Sequence, residues 1–176
     1  VFDYQRAPAK WTQVYENLKK LESHRDQINL KCWYAFTITP FNVFHFPEFM
    51  KWKLEESDLT LFNPEHSHRP LVSYHMCHSP KYYNIKVLPL HIKQMVSEHY
   101  TEYRKWIMAS DHIDNVKKYF VQHLNSVEKF MHSEDYSEEW LDEFVSITNK
   151  LDVIRKQNVL DIVPQFESLF KDAHNE

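Results

Sequence analysis

Hydrophobic positions in the first part of the chain change from helical to strand-like spacing. Within residues 9–25 the apolar side chains recur every three or four positions, as on one face of an amphipathic helix. These side chains are Trp11, Val14, Tyr15, Leu18 and Leu21. Residues 28–39 are instead rich in aromatic and β-branched side chains and end at Pro40, which predicts a largely buried strand. We expect a second, shorter helix from Pro47 to Leu54.

Three shorter segments follow with weaker patterns. Residues 59–62 and 71–76 are short apolar runs, and a polar segment with two prolines separates them. Such runs, bounded by turn residues, indicate short strands. Residues 82–87 are open to two interpretations, a further strand or an extended connection.

After Pro89 the hydrophobic spacing becomes helical. It predicts helices at residues 90–108, 111–130, 137–154 and 159–170. Asp111 is a suitable N-cap for the second of these helices, and Ser137 with the two glutamates after it provides a cap and an acidic first turn for the third. Pro164 interrupts the last helix, because proline lacks the amide hydrogen that a helix interior needs.

The order of these elements predicts the fold class. Helices alternate with strands and are followed by a helical tail, which is typical of an α/β protein with a parallel sheet. Too few strand–helix units are present for a complete TIM barrel, which needs eight. We therefore expect a partial, half TIM-like barrel in residues 1–89, with parallel strands, and a helical C-terminal extension in residues 90–176.

Composition restricts the class of protein. Of 176 residues, 43% are hydrophobic and 26% are charged, which is typical of a globular chain. A net charge of −4 without a long basic run argues against nucleic acid as a partner. No apolar stretch approaches the roughly 18 residues that a membrane span needs. Cys32 and Cys77 are too few for a disulfide framework, so we expect a cytoplasmic protein.

The chain contains no glycine. A Walker loop, a dinucleotide-binding fingerprint and a nucleophile elbow all need glycine, so none of these motifs is present in its usual form. Turns and helix ends that need a positive φ must then use other residues, such as Asn or Asp.

Five segments, in order, resemble the C-terminal half of twitch-domain radical S-adenosylmethionine (SAM) proteins of bacterial and phage type. They are RAPAKW with NLKKL (residues 6–21), TITPFNV (37–43), FPEFMKW (46–52), SPKYYNIKVLP (79–89) and LDVIRKQN (151–158). The resemblance matches them to the helix after the fourth barrel strand, the fifth strand, its helix, the next strand region and the end of the protein. It covers nearly the whole chain.

The resemblance implies SAM and a [4Fe–4S] cluster as the cofactors of the intact protein. In the family, a CxxxCxxC motif in the first barrel strands holds the cluster, which leaves one iron open to SAM. This motif is absent here. We therefore expect the chain to bind no cofactor by itself, to be inactive alone, and to need the missing N-terminal half or another chain as a partner.

The resemblance also implies a SAM-binding set of residues. Arg6 corresponds to a family arginine that pairs with the SAM carboxylate, as a guanidinium fork can do. Thr37, Thr39 and Asn42 lie at the end of a strand that would face the barrel mouth, where ligand contacts gather. Asn42 is open to two interpretations, a contact to the ribose or an ordinary turn residue.

Polar residues near the later strands are candidates for contacts to substrate. Asn63, Glu65 and His66 follow one short strand, and His75 lies on the next. Two further interpretations apply to the histidines of this region. His66, His68, His75 and His78 could join Cys77 in a zinc site, or they could be ordinary polar and core residues, since no second cysteine pair completes a standard zinc pattern. The predicted site includes no metal ligand.

A different class of function is also open. A partial barrel has an open sheet edge and an uncovered apolar face. The chain could therefore be a non-catalytic binding or scaffolding protein that self-associates to cover them.

Overall fold

The computed structural model describes residues 1–24, 27, 32–60 and 72–170. Its helices are α1 (Phe2–Gln5), α2 (Trp11–Glu22), α3 (Phe46–Glu55), α4 (Leu90–Ala109), α5 (Asp114–Met131), α6 (Ser137–Arg155) and α7 (Glu167–Phe170), and its strands are β1 (Ala35–Ile38) and β2 (Ser73–Met76). The predicted order, helix–strand–helix–strand followed by a helical tail, is confirmed. The short helix α1 was not predicted.

The two strands form a parallel pair. Ala35 lies opposite Ser73 and Ile38 lies opposite Met76. The connection between them contains α3, as a parallel crossover needs. The described part of the chain is thus a mostly helical, mixed α/β fold with two parallel strands.

Strand β1 is shorter and less buried than its sequence predicts. Ile38 is buried and Phe36 is half-buried against Phe46 and Phe49 of α3, whereas Ala35 and Thr37 are exposed. A strand is therefore confirmed at residues 35–38, but the prediction that it is largely buried was wrong, because α3 covers one face only. Residues 28–31 lie outside the described residues, as do residues 61 and 62 of the predicted strand 59–62.

Residues 82–87 form neither a strand nor an extended connection. They belong to two 3₁₀ turns, Lys81–Tyr83 and Ile85–Val87. Asn84 stabilises the second turn, because its side-chain oxygen accepts a hydrogen bond from the Lys86 amide at 3.0 Å. A local side-chain contact thus replaces the pairing that a strand would need.

Two helix starts also differ from their predictions. Helix α5 begins at Asp114 with Ile113 as its N-cap, not Asp111, so residues 110–113 form the link from α4. Helix α6 has Tyr136 as its N-cap and Ser137 as its first residue. Its predicted acidic first turn is confirmed.

In place of the predicted helix over residues 159–170, the chain forms mainly 3₁₀ turns. Two 3₁₀ turns, Val159–Asp161 and Pro164–Phe166, precede the one-turn helix α7. Asn158 caps the first of them by accepting a hydrogen bond from the Leu160 amide at 3.0 Å. Pro164 begins the second, as a residue without an amide hydrogen can.

One hydrophobic core joins the first and second halves of the chain. Phe144 of α6 is fully buried and packs against Phe41, Phe166 and Phe170. Tyr100 of α4 is also buried, and its hydroxyl donates a hydrogen bond to the Val43 carbonyl at 2.8 Å. None of the helices in the described ranges combines the length and apolar character needed to cross a membrane.

Candidate ligand-binding cleft

A cleft of about 1000 Å³ opens beside β1. Helices α1, α2 and α3 contribute to its walls, together with β1 and residues 39–45. Tyr83, together with Leu151 and Arg155 of α6, completes it. Its size is at the upper end of the roughly 300–1,000 Å³ that is usual for small-molecule sites.

The apolar face of α2 borders this cleft. Trp11, Val14 and Leu18, three residues of the predicted apolar stripe, line it. None of the 12 residues of α2, all of them described, is buried. The stripe that periodicity predicts is therefore real, but much of it faces a cleft and not a closed core.

Aromatic rings of α3 and of the segment before β1 form an apolar wall that adjoins α2. Trp52 packs against Phe49 and edge-on against Trp11, with ring centroids 5.7 and 5.6 Å apart. Tyr34 meets Phe49 edge-to-face at 5.2 Å. Trp33 also lines the cleft and is 50% exposed. Rings held by such contacts offer a preorganised apolar surface for a planar ligand.

Asn42 organises the polar end of the cleft. Its side-chain oxygen accepts a hydrogen bond from the Thr39 amide at 2.9 Å. Its side-chain nitrogen donates to the Thr37 carbonyl at 2.9 Å and to the Gln5 side-chain oxygen at 3.1 Å. Asn42 is 5% exposed. Of its two interpretations, the geometry favours the turn residue, because both amide hydrogens are used within the protein.

The two acidic side chains of the cleft have their own partners. Asp3 accepts a hydrogen bond from the Trp11 amide at 2.7 Å and pairs with Lys10, and that amide bond is the main reason why the pKa of Asp3 lies below its usual value. Glu48 lies 2.7 Å from the His45 imidazole, whose hydrogen bond lowers the pKa of the Glu48 carboxyl. Both acids are therefore partly neutralised by neighbouring groups.

The two arginines of the cleft, unlike its two acids, form no ion pair within the described residues. Arg6 is exposed, and its guanidinium makes no hydrogen bond or ion pair within the described residues. Arg155 is half-buried and donates one hydrogen bond, from Nη1 to the Tyr4 carbonyl at 3.1 Å. It too has no carboxylate partner in the described part of the chain. The unpaired charge in the cleft is therefore positive, although the whole chain carries −4.

The four residues that the resemblance assigns to SAM come together in this cleft. Arg6, Thr37, Thr39 and Asn42 all line it. His75 is exposed on β2 opposite Thr37, and it is not among the lining residues. The other proposed substrate contacts, at residues 63, 65 and 66, lie outside the described residues.

The cysteines do not fit an iron–sulfur cluster of the family type. Such a cluster needs three thiolates on one motif, and the chain has only Cys32 and Cys77. Burial raises the pKa of both thiols, which disfavours the thiolate that binds metal. Over the described ranges, no group of three His, Cys, Asp or Glu side chains could hold a metal ion, including at His75, Cys77 and His78.

Sequence reasoning missed several residues of the cleft. Gln5, Tyr83 and Arg155 line it but were not candidates. Arg155 lies within the LDVIRKQN segment that carries part of the resemblance, which was the available signal. Arg155 and Tyr4 are 151 positions apart in the sequence, and a local sequence pattern cannot predict a hydrogen bond between them.

No protein-family model, curated protein or solved structure matches this chain. The interpretation of the cleft therefore depends on its own geometry and on the resemblance of the sequence segments.

Proposed function

We propose that this chain is the C-terminal portion of a radical SAM protein and that its cleft forms part of the SAM pocket. The observation that carries the proposal is the convergence of Arg6, Thr37, Thr39 and Asn42 on one cleft. The resemblance matches Arg6 to an arginine that pairs with the SAM carboxylate, and it matches the segment that holds Thr37, Thr39 and Asn42 to the fifth barrel strand. Arg6 and Thr37 come from different elements, so their meeting at one cleft is not a consequence of sequence proximity.

The chemistry of the cleft suits this ligand. The unpaired Arg6 guanidinium can bind the SAM carboxylate through two parallel, charge-assisted hydrogen bonds. The aromatic wall offers stacking surface for the adenine ring and π-faces for the sulfonium cation. Asn42 acts indirectly in this account, because it holds the turn that carries Thr37 and Thr39.

The proposed whole protein extends this architecture. Strands β1 and β2 would be neighbouring strands of a partial barrel, with α3 as the crossover between them. The cluster and the chemistry that it supplies would come from residues outside this chain, because two cysteines do not suffice. The sequence led us to expect that the chain binds no cofactor by itself. Because Arg6 and the aromatic wall already lie in one cleft of this chain, we propose instead that it binds SAM weakly, through the groups of one wall only.

Isothermal titration calorimetry with SAM tests the proposal. We expect saturable binding that Arg6→Gln weakens by about 10-fold or more, since a hydrogen bond to a charged group contributes about 1.5–3 kcal/mol. Arg104→Gln is the matched control, because Arg104 pairs with Glu128 away from the cleft. Equal affinity of Arg6→Gln and the wild type, or no binding at all, would refute the role of the cleft.

The scaffolding alternative is favoured by one observation. Val153 and Ile154, adjacent on α6, are 80% and 76% exposed. A scaffolding protein would need no ligand in the cleft, so the same titration separates the two functions.

A further inference from the structure

Arg155 is a half-buried cation without an acidic partner. The nearest carboxylate on its helix, Asp152, is used elsewhere: it accepts hydrogen bonds from the Tyr4 hydroxyl at 2.7 Å and from the Val159 amide at 2.8 Å. Arg155 donates one hydrogen bond to the Tyr4 carbonyl, and this bond orients the guanidinium. Its other N–H groups form no hydrogen bond within the described residues. A charge withdrawn from water without a partner is costly, so this group favours an anion.

Tyr83 presents a second donor on the same side of the cleft. Its ring packs against Phe41 with centroids 5.5 Å apart. Its hydroxyl makes no hydrogen bond in the described part of the chain, and it borders the cleft as Arg155 does. Burial raises the pKa of the Tyr83 phenol, and the positive charge of Arg155 opposes this shift. Arg155 and Tyr83 thus line one cavity, and each has hydrogen-bond donors that no described residue uses.

We propose that Arg155 and Tyr83 form a second anion subsite, which binds the carboxylate or phosphate of a small aromatic substrate. The body of this substrate packs on the aromatic wall of the cleft. The inference rests on the proposed function in that both ligands share one cleft, but it does not require SAM. Sites for one small molecule begin at roughly 300 Å³, so a cleft of about 1000 Å³ has the volume for two small ligands.

The charges of the cleft support an anion in particular. Asp3 and Glu48 have partners of their own, whereas neither guanidinium has one among the described residues. The two guanidinium groups belong to different elements, because Arg6 follows α1 and Arg155 ends α6. Two separate guanidinium groups in one cleft suit two oxyanions better than one.

Three probes that share a naphthalene ring substituted at the 2-position test the subsite: 2-naphthoate, 2-naphthyl phosphate and the neutral 2-naphthalenemethanol. We expect at least one of the two anions to bind about 10-fold more tightly than the alcohol, as charge-assisted hydrogen bonds predict. The tighter anion identifies the substrate as a carboxylate or a phosphate. Arg155→Gln should abolish the preference for the anion, and Tyr83→Phe should reduce it. An alcohol that binds as tightly as both anions would overturn the proposal.

The controls separate binding from folding and from the function proposed above. Arg155 also holds the Tyr4 carbonyl, so Arg155→Gln could loosen the fold. Tyr83→Phe removes no hydrogen bond within the described residues, and the comparison of probes on the wild type changes no residue, so neither test is affected by a loosened fold. Arg104→Gln should keep the preference for the anion. The SAM titration and the probe titration are separate measurements on the wild type. Loss of SAM binding with the anion preference intact would refute only the SAM pocket, and the reverse result would refute only the subsite, so the two proposals fail independently. Retention of the anion preference in folded Arg155→Gln would contradict the subsite.

Discussion

Asn42 holds the polar end of the cleft together through a single side-chain amide. Its three hydrogen bonds join the turn after β1 to α1, because one of them reaches Gln5. Gln5 in turn donates to the Thr39 hydroxyl at 2.6 Å. The sequence predicted that Asn42 belongs to a site or a turn but could not decide between them. The decision depends on Gln5, 37 positions away, and only the folded chain brings the two together.

Asn42→Ala should destabilise the protein by about 1–3 kcal/mol, because it leaves buried backbone and side-chain groups without partners. Urea unfolding monitored by tryptophan fluorescence measures this change. Asn17→Ala is the matched control, since Asn17 is exposed on α2 and its loss should change the free energy of unfolding by less than about 0.5 kcal/mol. Equal effects of the two substitutions would show that the Asn42 network contributes no stability.

Among the elements, the longer helices follow directly from hydrophobic spacing, and the short segments do not. Helices α2 to α6 all occur where periodicity predicts them, because a long amphipathic pattern is a strong signal. The 3₁₀ turns after β2 and after α6 were missed. In both, an asparagine side chain, Asn84 or Asn158, bonds to the backbone two residues later. A hydrophobic pattern carries no information about such local bonds.

The end of α6 shows the effect of a chain without glycine. Lys156 follows the helix with φ 53° and ψ 48°, in the left-handed region where glycine is usual. The Gln157 amide then bonds to the Asp152 carbonyl at 3.0 Å, which closes the helix end. The sequence led us to expect Asn or Asp at such positions. A side chain with a Cβ atom costs roughly 1–2 kcal/mol in this conformation.

Glycine and alanine should therefore have opposite effects at two lysines of this region. Lys156→Gly should be more stable than Lys156→Ala by about 1 kcal/mol, because both lack the charge and only glycine relieves the strain. At Lys150, exposed within α6, the order should reverse by about 1 kcal/mol, because glycine is a poor helix former. Thermal unfolding of the four variants measures both differences. The same order at both positions would contradict the left-handed conformation of Lys156.

At the scale of the whole molecule, the cleft lies where the two halves of the chain meet. Phe41 and Phe144 join the halves in the core, and the Tyr4 hydroxyl reaches Asp152 across 148 positions. Periodicity predicted the elements on each side, and the resemblance predicted that residues near β1 share a site. Neither predicted that α6 contributes Arg155, because long-range packing decides which helix face meets α1.

The tryptophans offer the most direct test of a ligand in this cleft. Trp11, Trp33 and Trp52 line it, whereas Trp106 and Trp140 do not. Trp106 packs on Phe120, and the Trp140 indole donates to Glu139 at 3.0 Å. The five indole N–H groups thus form an internal set of three reporters and two controls.

Titration of the ¹⁵N-labelled chain with SAM, followed through the indole N–H signals, therefore tests the central claim. We predict that the signals of Trp11, Trp33 and Trp52 shift with a common saturation curve while those of Trp106 and Trp140 stay in place. Shifts confined to Trp106 and Trp140, or no shift at any indole up to saturating SAM, would contradict the assignment of the cleft as part of a SAM pocket.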